Sequence, residues 1–227
     1  MKKPLFMLLL IITFWLVGGG QNHIASAQAQ IIFRGSHIEN NFPDGIIFNI
    51  NAESTGEDIT SAKLFYYFRN DKSITRQVLE LTHGDKVNLS YRFETEKISI
   101  PPSTPIFYYW EVVDEDGNRE LSEEFMVFYD DIRYDWKIRE DTDLAVWWHD
   151  RPDEFGETVF DISQRSFAQQ HELFQAELDF QIRIIINNTF DEFASWHSYV
   201  DDFVGGQAYS LYGLTIQIVP DTSSQER

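Results

Sequence analysis

The sequence predicts an α+β protein of two units: an antiparallel β-sandwich over residues 31–131, then a mixed α/β unit over 143–227. Three observations carry that reading. Short β-patterned runs at regular spacing fill the first unit. One long segment in the second has a helical period of aromatic residues. The last strand-like run, Leu214 to Val219, follows the glycine pair Gly205-Gly206.

Residues 1–29 have the layout of a signal peptide. Lys2 and Lys3 precede the apolar run Leu5 to Val17, and small-residue cleavage sites follow at Ala25-Ser26-Ala27 and Ala27-Gln28-Ala29. That run of thirteen residues falls short of the ~20 a spanning helix needs. The remainder is therefore expected outside the cytoplasm, extracellular or at the cell surface. It would meet a membrane only if the leader stayed as an anchor.

Charge narrows the partners. The chain has 18 basic and 37 acidic residues, and Lys2 and Lys3 belong to the leader, leaving 16 against 37, a net −21. Such a field repels phosphate backbones, which excludes nucleic acid. With no cysteine there are neither disulfides nor thiolate metal sites, so the fold depends on its core. The 19 Phe, 10 Tyr and 6 Trp supply ample apolar bulk for one.

The sandwich reads as about seven strands between Ile31 and Tyr129, among them "GIIFNINAES", "SAKLFYYFRN", "VNLSYRFET" and "TPIFYYWEVVD". Asp116-Gly117-Asn118 ends the last of these and marks a hairpin, because Gly and Asn accept positive φ. Asp114, Asp116 and Asn118 lack the further ligands of a calcium loop and read as a plain turn. The segment resembles the last hairpin of an immunoglobulin-like or fibronectin-type-III-like domain, with Trp110 as its core aromatic.

Residues 132–142 read as an acidic linker. "TDLAVWWHD" is then a strand. A helix follows over Glu157–Leu178, with Phe160, Phe167 and Phe174 seven residues apart on a buried face beside Ser163, His171 and Leu178. "QIRIIINNT" is a strand, and "DEFASWHSYV" a short helix capped by Thr189 or Asp191.

Few residues point to chemistry. His171-Glu172-Leu173-Phe174-Gln175 is one residue away from a zinc-protease helix, but Gln175 stands where the second His would be. His149 and His197 read as structural or surface residues. The acidic pairs Asp130-Asp131, Asp141-Asp143 and Asp201-Asp202 read as solvated charges. Asn187 and Asn88 fit a weak glycosylation pattern.

Taken together, "DLAVWWHDRPDEFGETVF", "IRIIINNTFDEF" and "GGQAY" with the strand Gly213 to Val219 resemble the opening of the peptidase-MA-like domain, a gluzincin zinc metallopeptidase family of exported bacterial proteins. The resemblance implies an H-E-x-x-H helix and a later Glu as third zinc ligand. The sequence contains neither motif, so no catalytic or metal residue is carried over, and zinc is expected only in a full-length relative. It also implies that Gly205, Gly206, Ala208 and Tyr209, with Leu214, Ile216 and Ile218, lie where a substrate chain would rest as an added strand. The expected function is that of an exported, truncated and catalytically inactive relative of these enzymes. The alternative is a complete binding or scaffold protein that recognises a peptide or protein partner. Under the first reading the strand from Leu214 exposes an apolar face, and the second half is less stable than the sandwich.

Overall fold

The structure, a computed structural model, describes residues 30–68, 73–95, 98–175, 177–197 and 204–220. The expected leader lies outside these residues. The molecule is built mostly of antiparallel and mixed β-sheets, with few helices.

The first half holds β1 (Ile31–Asn41), β2 (Gly45–Ser54), β3 (Ile59–Phe68), β4 (Thr75–Leu79), β5 (Lys86–Glu94), β6 (Thr104–Asp114), β7 (Arg119–Leu121) and β8 (Phe125–Tyr129). They form two antiparallel sheets, β1-β2-β5 and β4-β3-β6-β7, with β8 also paired to β6. Alternation decides what is inside. Ile46, Phe48 and Ile50 of β2 are buried, as are Leu64 and Tyr66 of β3 and Tyr108, Trp110 and Val112 of β6. The Phe48 ring meets Tyr108 edge-on at 4.8 Å, joining the two sheets. Each such side chain contributes about 1.5–3 kcal/mol by leaving water.

The expected hairpin follows β6. Gly117 sits at φ +82°, and the Asp114 carboxylate accepts from the Asn118 backbone N–H at 2.8 Å and its side-chain amide at 2.9 Å. Asp114 therefore serves the turn. The returning chain is split into β7 and β8, where one strand was expected. Between them the Ser122 hydroxyl accepts from the Trp110 N–H at 2.9 Å, and the Ser122 N–H donates to the Trp110 carbonyl at 2.9 Å.

The second half holds β9 (Lys137–Glu140), β10 (Leu144–Trp148), α1 (Asp153–Phe174), β11 (Ile182–Asn187), α2 (Phe190–Ala194), β12 (Gly206–Tyr209) and β13 (Leu214–Ile218). Its sheet runs β12-β13-β11-β10-β9. β10, β11 and β13 are parallel, and the edge strands β9 and β12 are antiparallel to them.

Four expectations change here. The helix starts four residues early, after Pro152, and ends at Gln175, which takes the left-handed conformation. Within it Phe160 is buried and Phe167 half-buried, but Phe174 and His171 are exposed, because the helix outruns the sheet beneath it. The expected linker is ordered. It contains β9, and before β9 the Asp131 carboxylate holds Arg133 at 2.6 and 2.8 Å while Trp136 Nε1 donates to the Asp131 carbonyl at 2.8 Å. Asp131 is buried and not a solvated charge. The aromatic bodies of Tyr134 and Trp136 pull this segment inward, against His149 and Trp147.

The second sheet has two different faces. Ile185, Leu214 and Ile216 share one core with the sandwich and with Phe193 and Trp196 around α2. Across that boundary Phe68 meets Tyr212 edge-on at 5.1 Å, and the Arg183 guanidinium lies 4.9 Å from the Phe128 ring. The other face, Leu144, Val146, Trp148 and Ile186, packs with Phe160 of α1. The two halves are thus layers of one packed body.

Candidate functional site

The edge strand β12 is the place to which the expected site residues point. Its sequence is nearly bare of side chains at Gly205, Gly206 and Ala208. The Ile218 N–H donates to the Gly205 carbonyl at 2.9 Å, and Thr215 Oγ1 donates to the Gln207 carbonyl at 3.1 Å. In an antiparallel ladder, hydrogen-bonding direction alternates along the strand. Gly205, Gln207 and Tyr209 therefore point their backbone groups at β13, while Gly206 and Ala208 point theirs outward. Among the described residues no strand pairs with that outer edge.

Gly206 is required by close approach. A Cβ there would lie 2.5 Å from Gln217 Oε1 and 2.7 Å from the Ile216 carbonyl. The edge strand is thus held tight against β13 at the point where, among the described residues, no strand pairs with its outer groups.

The remaining expected site residues divide. Tyr209 is half-buried and sits beside α2. Its hydroxyl lies 2.6 Å from His197 Nε2 and 3.0 Å from Gln207 Oε1, and Trp196 flanks both rings. Leu214 and Ile216 are only 4% and 0% exposed, and Ile218 is half-buried on the same face. Their side chains form the floor under β12 and are closed to a partner. The expected exposed apolar face of β13 is therefore covered, by the sandwich and α2.

A second cluster was not visible in the sequence. The carboxyl ends of the parallel strands meet at His149, Arg151, Asn188 and Val219, a position where open sheets commonly bind ligands. Here the groups satisfy one another. Arg151 Nε donates to Asn188 Oδ1 at 2.6 Å and its guanidinium also reaches the Val219 carbonyl. The Asn188 amide donates to the His149 carbonyl at 3.2 Å, and Glu192 accepts from the Asn188 N–H at 2.6 Å. His149 is 1% exposed, stacked on Tyr134 with ring centroids 4.0 Å apart. Its Nδ1 lies 2.9 Å from Asp150 Oδ2, and its Nε2 lies 3.3 Å from Glu192 Oε2 without hydrogen-bond alignment. This is a clamp on the strand ends, and it shields His149 from any substrate.

Other candidates disperse. His171 is exposed on α1, and no group of three metal-ligating side chains occurs among the described residues. Asn187 is buried, which closes it to glycosylation in the folded chain, whereas Asn88 is exposed on β5. Among the described residues, no helix is long and apolar enough to cross a membrane.

No protein-family model matches the chain, and no curated protein matches it. A solved structure with partial similarity is that of the sulfane dehydrogenase SoxCD from Paracoccus pantotrophus, with 13% identity and a TM-score of 0.23. The likeness covers 40% of this chain and 23% of that one, so this chain spans less than a quarter of its length. At that level the likeness carries no argument about fold or function.

Proposed function

We propose that this chain is an exported, non-hydrolytic relative of the peptidase-MA-like zinc metallopeptidases that binds an extended peptide as an added strand on β12. The sandwich would be its immunoglobulin-like or fibronectin-type-III-like module, and the α1-bearing sheet the framework of the gluzincin subdomain. One observation carries the reading. One of the two antiparallel edges of the mixed second sheet offers the outward backbone groups of Gly206 and Ala208, two residues too small to obstruct a neighbouring strand. Main-chain bonds give such a site affinity, and pockets for alternate side chains give it selectivity. Peptide hydrolysis needs a metal or other electrophile and a positioned base, and in His171-Glu172-Leu173-Phe174-Gln175 a glutamine stands where a zinc-protease helix has its second histidine. The alternative, a scaffold that binds a folded protein through the same edge, shares the same contact residues.

Selection of a displayed random peptide library on the purified chain tests this. Enriched peptides are expected to bind the native chain and to lose about tenfold or more in affinity on Ala208→Pro, which removes one outward N–H. Failure to enrich any peptide, or full binding by the proline variant, sinks the proposal. Cleavage of a bound peptide after zinc addition sinks the non-hydrolytic part of it.

A further inference from the structure

Among the described residues, the face of the second sheet that carries α1 is only half covered. α1 packs on β9 and β10, and beside it lies a groove of about 550 Å³. The floor is made by Ile182, Ile184 and Ile186 of β11 with Thr215 and Gln217 of β13. The wall is one side of α1: Val159, Ile162, Ser163, Ser166, Phe167 and Gln170.

These wall residues recur at intervals of three and four, the spacing of a single helix face. Large side chains at its ends and small serines at its middle leave room for a second helix at about 8–10 Å between axes. The same stretch of α1 is otherwise bare. From Gln164 to Phe174 every residue but Phe167 is exposed, and Leu173 and Phe174 stand 74% and 69% exposed. Helices short of about 12–15 residues are marginal without packing, so a half-helix this uncovered gains from a neighbour.

Charge says which neighbour. Among the described residues no charged side chain lines the groove, although the chain has a net charge of −19. At the Phe167 end an adjoining hollow is bordered by the carboxylates of Asp143 and Glu177 together with His171. An occupant with an apolar face fits the floor and wall, and basic flanks fit the rim and the field of the whole chain.

We propose that this groove seats an amphipathic helix of a partner protein, apolar on one face and basic on its flanks, lying alongside α1. The proposal is independent of peptide addition at β12, since groove and outer edge are different surfaces.

The test uses two fluorescein-labelled helical peptides of about 18 residues with the same leucine face, one with lysine and one with glutamate flanks, titrated into the full chain by anisotropy. The lysine peptide is expected to bind at least about tenfold more tightly than the glutamate peptide. Ser166→Arg and Gln170→Arg, both at exposed wall positions, should each weaken the lysine peptide about tenfold with unchanged melting temperature. Asp161→Asn raises the net charge by the same amount at an exposed α1 position outside the groove, and should leave binding nearly unchanged. No binding of the lysine peptide overturns the proposal. So does equal loss in the groove and control variants, which would mean non-specific attraction. Complete displacement of the peptide by a dansylated fatty acid also overturns it, because the groove would then be a site for a small apolar ligand.

Discussion

The Tyr209 hydroxyl lies 2.6 Å from Nε2 of His197, whose Nδ1 lies 2.7 Å from the Phe193 carbonyl. A carbonyl only accepts, so Nδ1 carries the proton of the neutral ring and Nε2 receives the tyrosine O–H. The pair connects α2 to β12 and fixes the edge strand from below.

Burial holds the His197 pKa below its usual 6.5, and the backbone bond to Phe193 only partly opposes this. The unfolded chain therefore binds more protons than the folded one over the interval between the lowered value and 6.5. Stability from this group is complete above 6.5, declines as pH falls through that interval, and is level below the folded value. His197→Gln should reduce the loss of stability between about pH 7.5 and about pH 5, as measured by urea unfolding at each pH. An unchanged pH dependence in the variant would contradict the assigned proton arrangement.

Gly156, in the first turns of α1, faces the Trp148 ring. A Cβ built there lies 2.3 to 2.4 Å from three ring atoms. Gly156→Ala would gain about 1 kcal/mol in helix propensity, yet overpacking of this kind costs about 1–3 kcal/mol. The expected result is net destabilisation, with the urea midpoint lowered. Stabilisation would mean that the helix can lift from β10 at little cost.

Hydrogen exchange should divide α1 into two parts. Amides from Asp153 to about Ser163 lie over β9 and β10, whereas those from Gln164 to Phe174 belong to the exposed half. The second part is expected to exchange faster by at least about tenfold through local opening. The second sheet, in contrast, should be protected as well as the sandwich, because Ile185, Leu214 and Ile216 share its core. Equal protection removes the stability difference expected for a half with a missing cover. Separate denaturation transitions for the two halves would restore that order.

The strands were legible because alternation leaves its mark in every residue. Phe48, Trp110 and Ile216 all point inward, as their patterns require. The single core was not legible, since alternation tells which face is buried but not against what. Asp131 was misread for another reason, whereas His149 has the structural role read for it. In so acidic a chain a carboxylate reads as solvated, and only the fold buries Asp131 and turns the Arg133 guanidinium onto it. For the candidate site, the small residues of β12 were visible, whereas the outward direction of Gly206 and Ala208 depends on register with β13. Nothing in the local sequence sets that register.

Arg183 is the buried cation of the boundary between the halves. Its guanidinium donates to the Tyr212 carbonyl at 3.2 Å and lies over Phe128. Burial raises the Asp130 pKa above its usual 3.8, and the charge of Arg183 works against that rise. In Arg183→Met the carboxyl would lose this support, so its folded pKa would rise further. A carboxylate raised in the folded state contributes stability below its unfolded pKa that is lost as pH rises through the folded value. The variant should therefore lose more stability at neutral pH than in mild acid. Asp130→Asn removes the charge that would be stranded. The double variant is accordingly expected to be less destabilised than Arg183→Met alone at neutral pH, a double-mutant cycle readable by urea unfolding. Simple additivity would mean that Arg183 acts through its packing on Phe128, with no part in compensating Asp130.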